Sequence, residues 1–239
     1  MNLIIDIGNT RAKLFAFEGN QLVSHCTCDY NLSEIGHFIE KNACTQGILS
    51  TTAKLTNDAD RHIEELPFKV LRMTGTTPTP VQVKYHTPET LGTDRLAAVV
   101  GAQALCPGRD ILVIDCGTCV TYDLLDAEGC YWGGNISPGL GMRFTALHRQ
   151  TARLPLIDAE GDLPEVGYDT QTAIRSGVIQ GLQYEIKGYI GQLKQRFPAL
   201  SVFLTGGDAK KLDISEECCI FADDFIVPRG LNLILNYNK

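Results

Sequence analysis

Long apolar runs are missing from this chain. No stretch approaches the ~20 apolar residues needed to span a bilayer, and the first run, Leu3 to Ile5, stops at Asp6. That pattern predicts a cytosolic protein with neither a membrane span nor a secretory leader. Basic blocks are missing too: 21 Lys and Arg against 28 Asp and Glu leave a net charge of −7, which speaks against general affinity for nucleic acid or anionic membranes while leaving room for a local basic pocket. Neither a G-x-x-x-x-G-K-[ST] loop nor a G-x-G-x-x-G fingerprint occurs, so P-loop and dinucleotide-fold chemistry are disfavoured. The nine cysteines do not form a disulfide framework, because the number is odd, the chain is long and no leader precedes it. Cys116 and Cys119 have C-x-x-C spacing, but two further zinc ligands are wanting: Cys218 and Cys219 are adjacent and the histidines are scattered. A thioredoxin-like pair opens a helix, whereas Val120 to Leu125 reads as a strand, so reduced, packing thiols are the reading.

The sequence does contain a repeat. Leu3-Ile-Ile-Asp-Ile-Gly-Asn-Thr10 returns as Leu112-Val-Ile-Asp-Cys-Gly-Thr-Cys119, an offset of 109 in a chain of 239 residues. Each copy runs into a second strand, Ala12 to Phe17 and Val120 to Leu125. The chemistry of each copy is the same: a buried β-branched strand, an Asp where it emerges, and a Gly that permits a tight turn before the chain returns. N–H groups at such a tip can nest phosphate oxygens, and the carboxylate beside them can hold a cation or its waters. An ordinary hairpin whose Asp caps its own turn is the alternative for one copy alone; two copies at half-chain spacing favour the phosphate reading. Two α/β domains are expected, 1–108 and 109–239, parted at Cys106-Pro107-Gly108.

Between the copies, Asn31 to Lys41, Asn57 to Leu66 and Leu96 to Leu105 read as helices, Gly47 to Ser50 and Phe68 to Met73 as strands, and Thr74-Gly-Thr-Thr-Pro-Thr-Pro80 as a loop. In the second half, Gly133 to Gly141 is dense in glycine, which points to backbone lying close to a ligand or to other backbone. Met142 to Arg149 and Thr172 to Phe197 read as helices, the latter with Gly177 and Gly181 spaced for close helix packing. Val202 to Thr205 is a strand ending in Gly206-Gly207, where a flat ring such as adenosine can lie against the backbone.

These two Asp-x-Gly turns and the Thr205-Gly-Gly-Asp-Ala209 strand end resemble the acetate kinase, sugar kinase, Hsp70 and actin superfamily. The resemblance implies two RNase H-like domains with an ATP cleft between them. Asp6-Ile-Gly-Asn-Thr10, Gly92-Thr-Asp-Arg95, Asp115-Cys-Gly-Thr118 and Gly134-Asn-Ile-Ser-Pro-Gly139 are similar to the blocks of type III pantothenate kinases, in the same order. Asp169-Thr170 stands where that family has Asn-Thr, a departure that weakens the carry-over of Thr170 to substrate.

By this resemblance the chain transfers the γ-phosphoryl group of ATP to pantothenate, the first step toward coenzyme A. Asp6, Ile7, Gly8, Asn9, Thr10, Arg11, Ala12 and Lys13 would hold the phosphates, with Thr118, Gly206 and Gly207 on the rest of the nucleotide. Asp94 would be the base; as a bare residue at a helix start a simple N-cap is its alternative. Gly92, Thr93, Arg95, Tyr85 and Thr170 would bind pantothenate, Arg95 through its planar fork, while Tyr85 also reads as a surface tyrosine. Asp115 would ligate a monovalent cation, K⁺ or NH₄⁺, and Mg²⁺ would arrive with ATP. A homodimer is implied. Rival readings are another small-molecule kinase of the superfamily, which need not keep Gly92-Thr-Asp-Arg95, and a non-catalytic nucleotide-binding regulator of the same fold.

Overall fold

The computed structural model describes residues 1–8, 11–214 and 220–239. The N-terminal apolar run forms β1 (Asn2–Ile7), which turns back as β2 (Ala12–Glu18) and then β3 (Gln21–Cys28). After α1 (Ile35–Lys41) come β4 (Gln46–Thr51), α2 (Asn57–Glu64) and β5 (Val70–Arg72). These strands make a five-stranded sheet of order β3-β2-β1-β4-β5, in which β1 runs antiparallel to β2 and parallel to β4. A central strand with a parallel neighbour is covered on both faces, which is why β1 is almost wholly apolar: Leu3, Ile4 and Ile5 have no exposed surface.

The chain continues through β6 (Gln82–Val83) and α3 (Thr93–Leu105), then repeats the plan with β7 (Ile111–Cys116), β8 (Cys119–Leu125) and β9 (Cys130–Pro138). Helices α4 (Leu140–Arg149) and α5 (Thr170–Arg196) precede β10 (Ser201–Thr205), β11 (Ile220–Ala222) and α6 (Ile226–Tyr237). The later strands take the order β9-β8-β7-β10-β11, position for position the order of the first sheet, with β10 parallel to both β7 and β11. The sequence repeat is thus a repeat of topology.

Two compact units result. The first comprises Met1–Gly108, Leu125–Gly133 and Phe225–Lys239; the second comprises Arg109–Leu124 and Gly134–Asp224. The first has a core that includes Leu3, Ile5, Leu14, Phe38 and Leu49; the second has one around Leu112, Ile114, Leu182, Ile186 and Val202. A single cut after 108 would assign α6 to the second half. Packing puts it in the first unit, because α6 lies backbone to backbone on α3: a Cβ on Gly230 would stand 1.8 Å from the Ala97 carbonyl oxygen, and one on Gly101 2.2 Å from that of Ile226. Buried Leu96, Val99, Val100, Leu231 and Ile234 surround that contact.

Three helices differ from expectation for local reasons. The first begins at Ile35 rather than Asn31, since Leu32 is left-handed (φ 56) and the Asp29 carboxylate accepts from the Ser33 amide and hydroxyl at 3.1 and 2.7 Å. The third begins at Thr93, capped by Gly92, so Asp94 lies inside the first turn and is not the N-cap; a carboxylate there still faces the helix's unpaired N–H groups. In α5 the glycines expected to pack closely, Gly177 and Gly181, do not: a Cβ on either, as on Gly188 or Gly191, would meet nothing within 4 Å in this chain. Among the described residues no helix is long and apolar enough to cross a membrane.

The α3 and α6 contact gives a stability test. Gly230→Ala should lower the unfolding free energy by at least about 2 kcal/mol, because backbone must retreat to admit the methyl group. Gly36→Ala, at an open helical position, should leave the midpoint unchanged or raised. Urea melts of the two variants provide the comparison.

Candidate active site

In the first unit, Asp6 ends β1, across from Lys13 on β2 and beside Ser50 on β4. The turn is closed by the Gly8 amide donating to the Arg11 carbonyl at 3.0 Å, and the Tyr30 hydroxyl donates to the Gly8 carbonyl at 3.4 Å. Ile7 and Ala12 are buried in the core, so only their main chain could meet a ligand; Arg11 and Lys13 are exposed. Asn9 and Thr10 lie outside the described residues. Burial pushes the Asp6 carboxyl up to about 6, a rise that Lys13 opposes and the charge of Asp94 reinforces. Such a site repels a second negative charge and favours a cation.

Asp94 reaches this neighbourhood because β4 carries the start of α3. The Ser50 and Thr93 hydroxyls are 2.8 Å apart and both are buried. The Asp94 carboxylate accepts from the Arg95 amide at 2.8 Å. A side chain at Gly92 would begin 2.6 Å from that carboxylate, so glycine leaves its space open. Buried Arg95 sets its guanidinium 5.8 Å from the centre of the Tyr85 ring, a cation–π arrangement. Tyr85 in turn stacks on Tyr131 at 6.5 Å. Gly133, at φ +93, allows that ring close: a Cβ there would fall 2.7 Å from Tyr85 Cδ2. Tyr85, Arg95, Tyr131 and Gly133 therefore form one cluster, of which the sequence reading named the first two. The only sequence trace of Gly133 is the glycine density of its segment.

In the second unit, Asp115 ends β7 with Thr205 as its partner on β10. Gly206 (φ +95) turns directly over it, where a Cβ would lie 2.4 Å from the Cys116 carbonyl oxygen and 2.5 Å from Asp115 Oδ1. The Asp208 amide donates to that Cys116 carbonyl at 2.9 Å. The strand pairing thus joins the second Asp-x-Gly turn to the Gly206-Gly207 turn, and Thr118 and Gly207 are exposed beside them. Glycine density in 133–141 has the same cause: Gly139 abuts the Gly117 and Thr118 carbonyls, and Gly134 abuts that of Tyr122. Glu185 fastens the intervening residues, accepting from Tyr122, Ser137 and Arg143.

Cys116 and Cys119 are free thiols. Burial pushes Cys116 up to about 12, which suits packing and not redox work. Among the described residues no group of three or more His, Cys, Asp or Glu side chains is placed to hold a metal.

Thr170, expected at the substrate, is exposed in the first turn of α5. Asp169 is the N-cap, accepting from the Thr172 amide at 2.8 Å, while the Thr172 hydroxyl accepts from the Asp169 amide at 3.1 Å. Asn and Asp serve equally as N-caps, so the departure at 169 keeps the helix start. The same box occupies Thr172.

With this geometry, the fold has known counterparts. A ROK family glucokinase from Streptomyces griseus superposes with a TM-score of 0.52 at 10% identity, over 99% of this chain and 98% of that one. A protein described as a conserved Baf family transcriptional activator from Campylobacter jejuni gives 0.64 at 22% identity, over 99% and 98%. Likeness at such identity shows the fold alone, and the fold is that of the actin-like ATPases and sugar kinases. Sequence carries the assignment further. The family model for type III pantothenate kinases matches residues 2–192, and the type III pantothenate kinase of Phocaeicola vulgatus is 49% identical over 239 residues, 100% of this chain and 99% of that one. The chain belongs to the type III pantothenate kinase family and is a kinase.

The raised Asp6 carboxyl fixes a sign for pH dependence. The folded protein holds the Asp6 proton up to about 6, above the ordinary carboxylate range, so between about 4 and 6 it binds more protons than the unfolded chain. Ligand-free stability should therefore fall as pH rises through this window, by an amount of the order of 3 kcal/mol. Asp6→Asn should flatten that slope and melt several degrees higher at pH 7.5, while losing turnover. Calorimetry from pH 4 to 8 checks it; an unchanged slope in the variant would clear Asp6 of the effect.

Proposed function

We propose that this chain runs its family's reaction with Asp94 as the base: the primary hydroxyl of pantothenate gives its proton to Asp94 as its oxygen attacks the γ-phosphorus of ATP, and ADP departs. The product is 4′-phosphopantothenate, from which coenzyme A is built. The observation that supports this most is the surroundings of Asp94, with Asp6 near enough to feel its charge and the Arg95 and Tyr85 pair directly adjacent. Phosphoryl transfer asks a protein mainly for positioning and charge neutralisation, plus one carboxylate to orient the attacking hydroxyl.

In this reading Gly8 to Lys13 hold the phosphates, Lys13 by charge and the turn by its N–H groups. Gly206 and Gly207 lie under the adenosine and Thr118 touches the nucleotide. Arg95, buried and oriented by Tyr85, receives the pantothenate carboxylate or amide oxygens, with Gly92 and Thr93 lining the same helix start. Thr170 reaches substrate with its exposed hydroxyl. Mg²⁺ accompanying ATP would meet Asp6, whose desolvated carboxylate beside another acid fits a cation, and would offset phosphate charge. The Asp115 carboxylate and Cys116 carbonyl, oxygen donors at one turn, fit K⁺ or NH₄⁺, whose charge would offset that gathered by phosphate and substrate.

The protein is further read as a cytoplasmic homodimer. Supporting this, the open glycine face of α5 carries exposed Tyr184, and Leu156, Val166 and Tyr168 of the same unit are also exposed. Glycines let two helix backbones approach closely once a partner is present.

An assay of ATP-dependent phosphorylation of pantothenate, with and without K⁺, tests the reading. Turnover should require the cation and should fall by at least about 10²-fold in Asp94→Asn. An unimpaired variant removes Asp94 as base, and phosphorylation of a sugar in place of pantothenate overturns the substrate. Sedimentation should return twice the chain mass; a monomer at assay concentration removes the dimer.

A further inference from the structure

Ser50 has no assigned part in the reaction, yet it stands where the two halves of the proposed machinery in the first unit join. It is the register partner of Asp6 on the parallel strand, is wholly buried, and has its hydroxyl 2.8 Å from that of Thr93, itself 7% exposed. Thr93 is the first residue of α3, and the helix has no side-chain cap of its own: Gly92 occupies the N-cap with no side chain to offer. The first turn of α3, with Asp94 and Arg95, is consequently tethered by a side-chain bond to β4 and not by a cap within its own sequence. The second unit supports the importance of the position. There Asp115 has the hydroxyl residue Thr205 in the same register place, also buried.

We propose that Ser50 is a positioning residue for the kinase reaction: its hydroxyl, bonded to Thr93, fixes the first turn of α3 so that Asp94 stands at a set distance from the Asp6 phosphate turn. This rests on the reading of Asp94 as base. The chemistry is sensitive to such placement, since a reacting group displaced by about 1 Å can cost 10²-fold in rate. A buried hydroxyl pair is also coupled: removing one member leaves the other buried without this partner, while removing both is far milder for the fold. Stability and turnover should therefore part company across a double-mutant cycle, which a purely structural role does not produce.

The test uses the full chain and five variants, Ser50→Ala, Thr93→Val, the double variant, Ser50→Cys and Asp94→Asn, with kcat, the KM for ATP and Tm measured for each. Ser50→Ala is expected to lower kcat about tenfold or more with KM for ATP within twofold of wild type. The double variant is expected to recover most of the Tm lost in Ser50→Ala while its kcat falls no further than in the worse single variant. Ser50→Cys keeps the shape and a weak donor, should regain part of the kcat, and carries the comparison if Ser50→Ala does not fold. A Ser50→Ala kcat within twofold of wild type overturns the proposal, as does a double variant whose losses in kcat multiply. Full activity in Asp94→Asn is a different failure, sinking the base assignment itself, so the two are told apart.

Discussion

Parallel pairing of the Asp-bearing strand with its neighbour is the constraint on which this protein turns. In each unit the central strand carries a carboxylate at its last position but one, and the parallel partner ends alongside it, so the next turn of chain emerges beside that carboxylate. In the first unit that register supplies Ser50, and through it the start of α3; in the second it supplies Thr205 and the Gly206 turn. Parallel strands deliver their carboxyl ends to one edge, and open α/β sheets place ligands there. A slip of one residue would turn Asp6 and Asp115 to the opposite face.

A second consequence is electrostatic. Asp6 is desolvated and lies within reach of the Asp94 charge, so the ligand-free first unit carries an unfavourable carboxylate at neutral pH. In the proposed reading, a cation accompanying phosphate would lower the energy of both acids at once, whereas replacing either by an amide would leave less to attract it. The buried Arg95 guanidinium rests against the Tyr85 ring, which orients its fork.

What could be read from sequence was whatever is local. The repeated strand, Asp and Gly pattern announces two copies of one sheet, and five of the six strands of the second sheet do repeat the order of the first. Gly206 follows its strand as a turn glycine should. The parts that escaped depend on residues distant in the chain. Nothing near Ile226 says that α6 returns to lie on Ala97, since the determinant is a pair of glycines, 101 and 230, that only their contact explains. Ser50 in isolation is a small polar residue at a strand end. Tyr131 and Gly133 matter only because β6 brings Tyr85 to them: the Lys84 amide, next to Tyr85, donates to the Tyr131 carbonyl at 2.9 Å. The early start of α3 was hidden because a glycine cap lacks the polar side chain by which a helix start is usually recognised.

The distribution of similarity bears on where substrate choice resides. A glucokinase shares the fold across nearly the whole chain at 10% identity, so the sheets and their central turns cannot by themselves distinguish a sugar from pantothenate. In the first unit the sequence between β6 and the first turn of α3 carries Tyr85 and then Gly92 to Arg95, the residues proposed to meet pantothenate. That segment is built unlike the Asp6 turn: aromatic stacking, one buried cation and a single glycine beside the Asp94 carboxylate, with little regular structure beyond the short helical turn Pro88–Thr90. Being anchored at its two ends, by β6 pairing with Gln82 opposite Cys130 and by Thr93 on Ser50, it can vary between its anchors without disturbing either sheet. A fold used for many acceptors requires this separation, and here the fixed points are a strand pair and a buried hydroxyl bond.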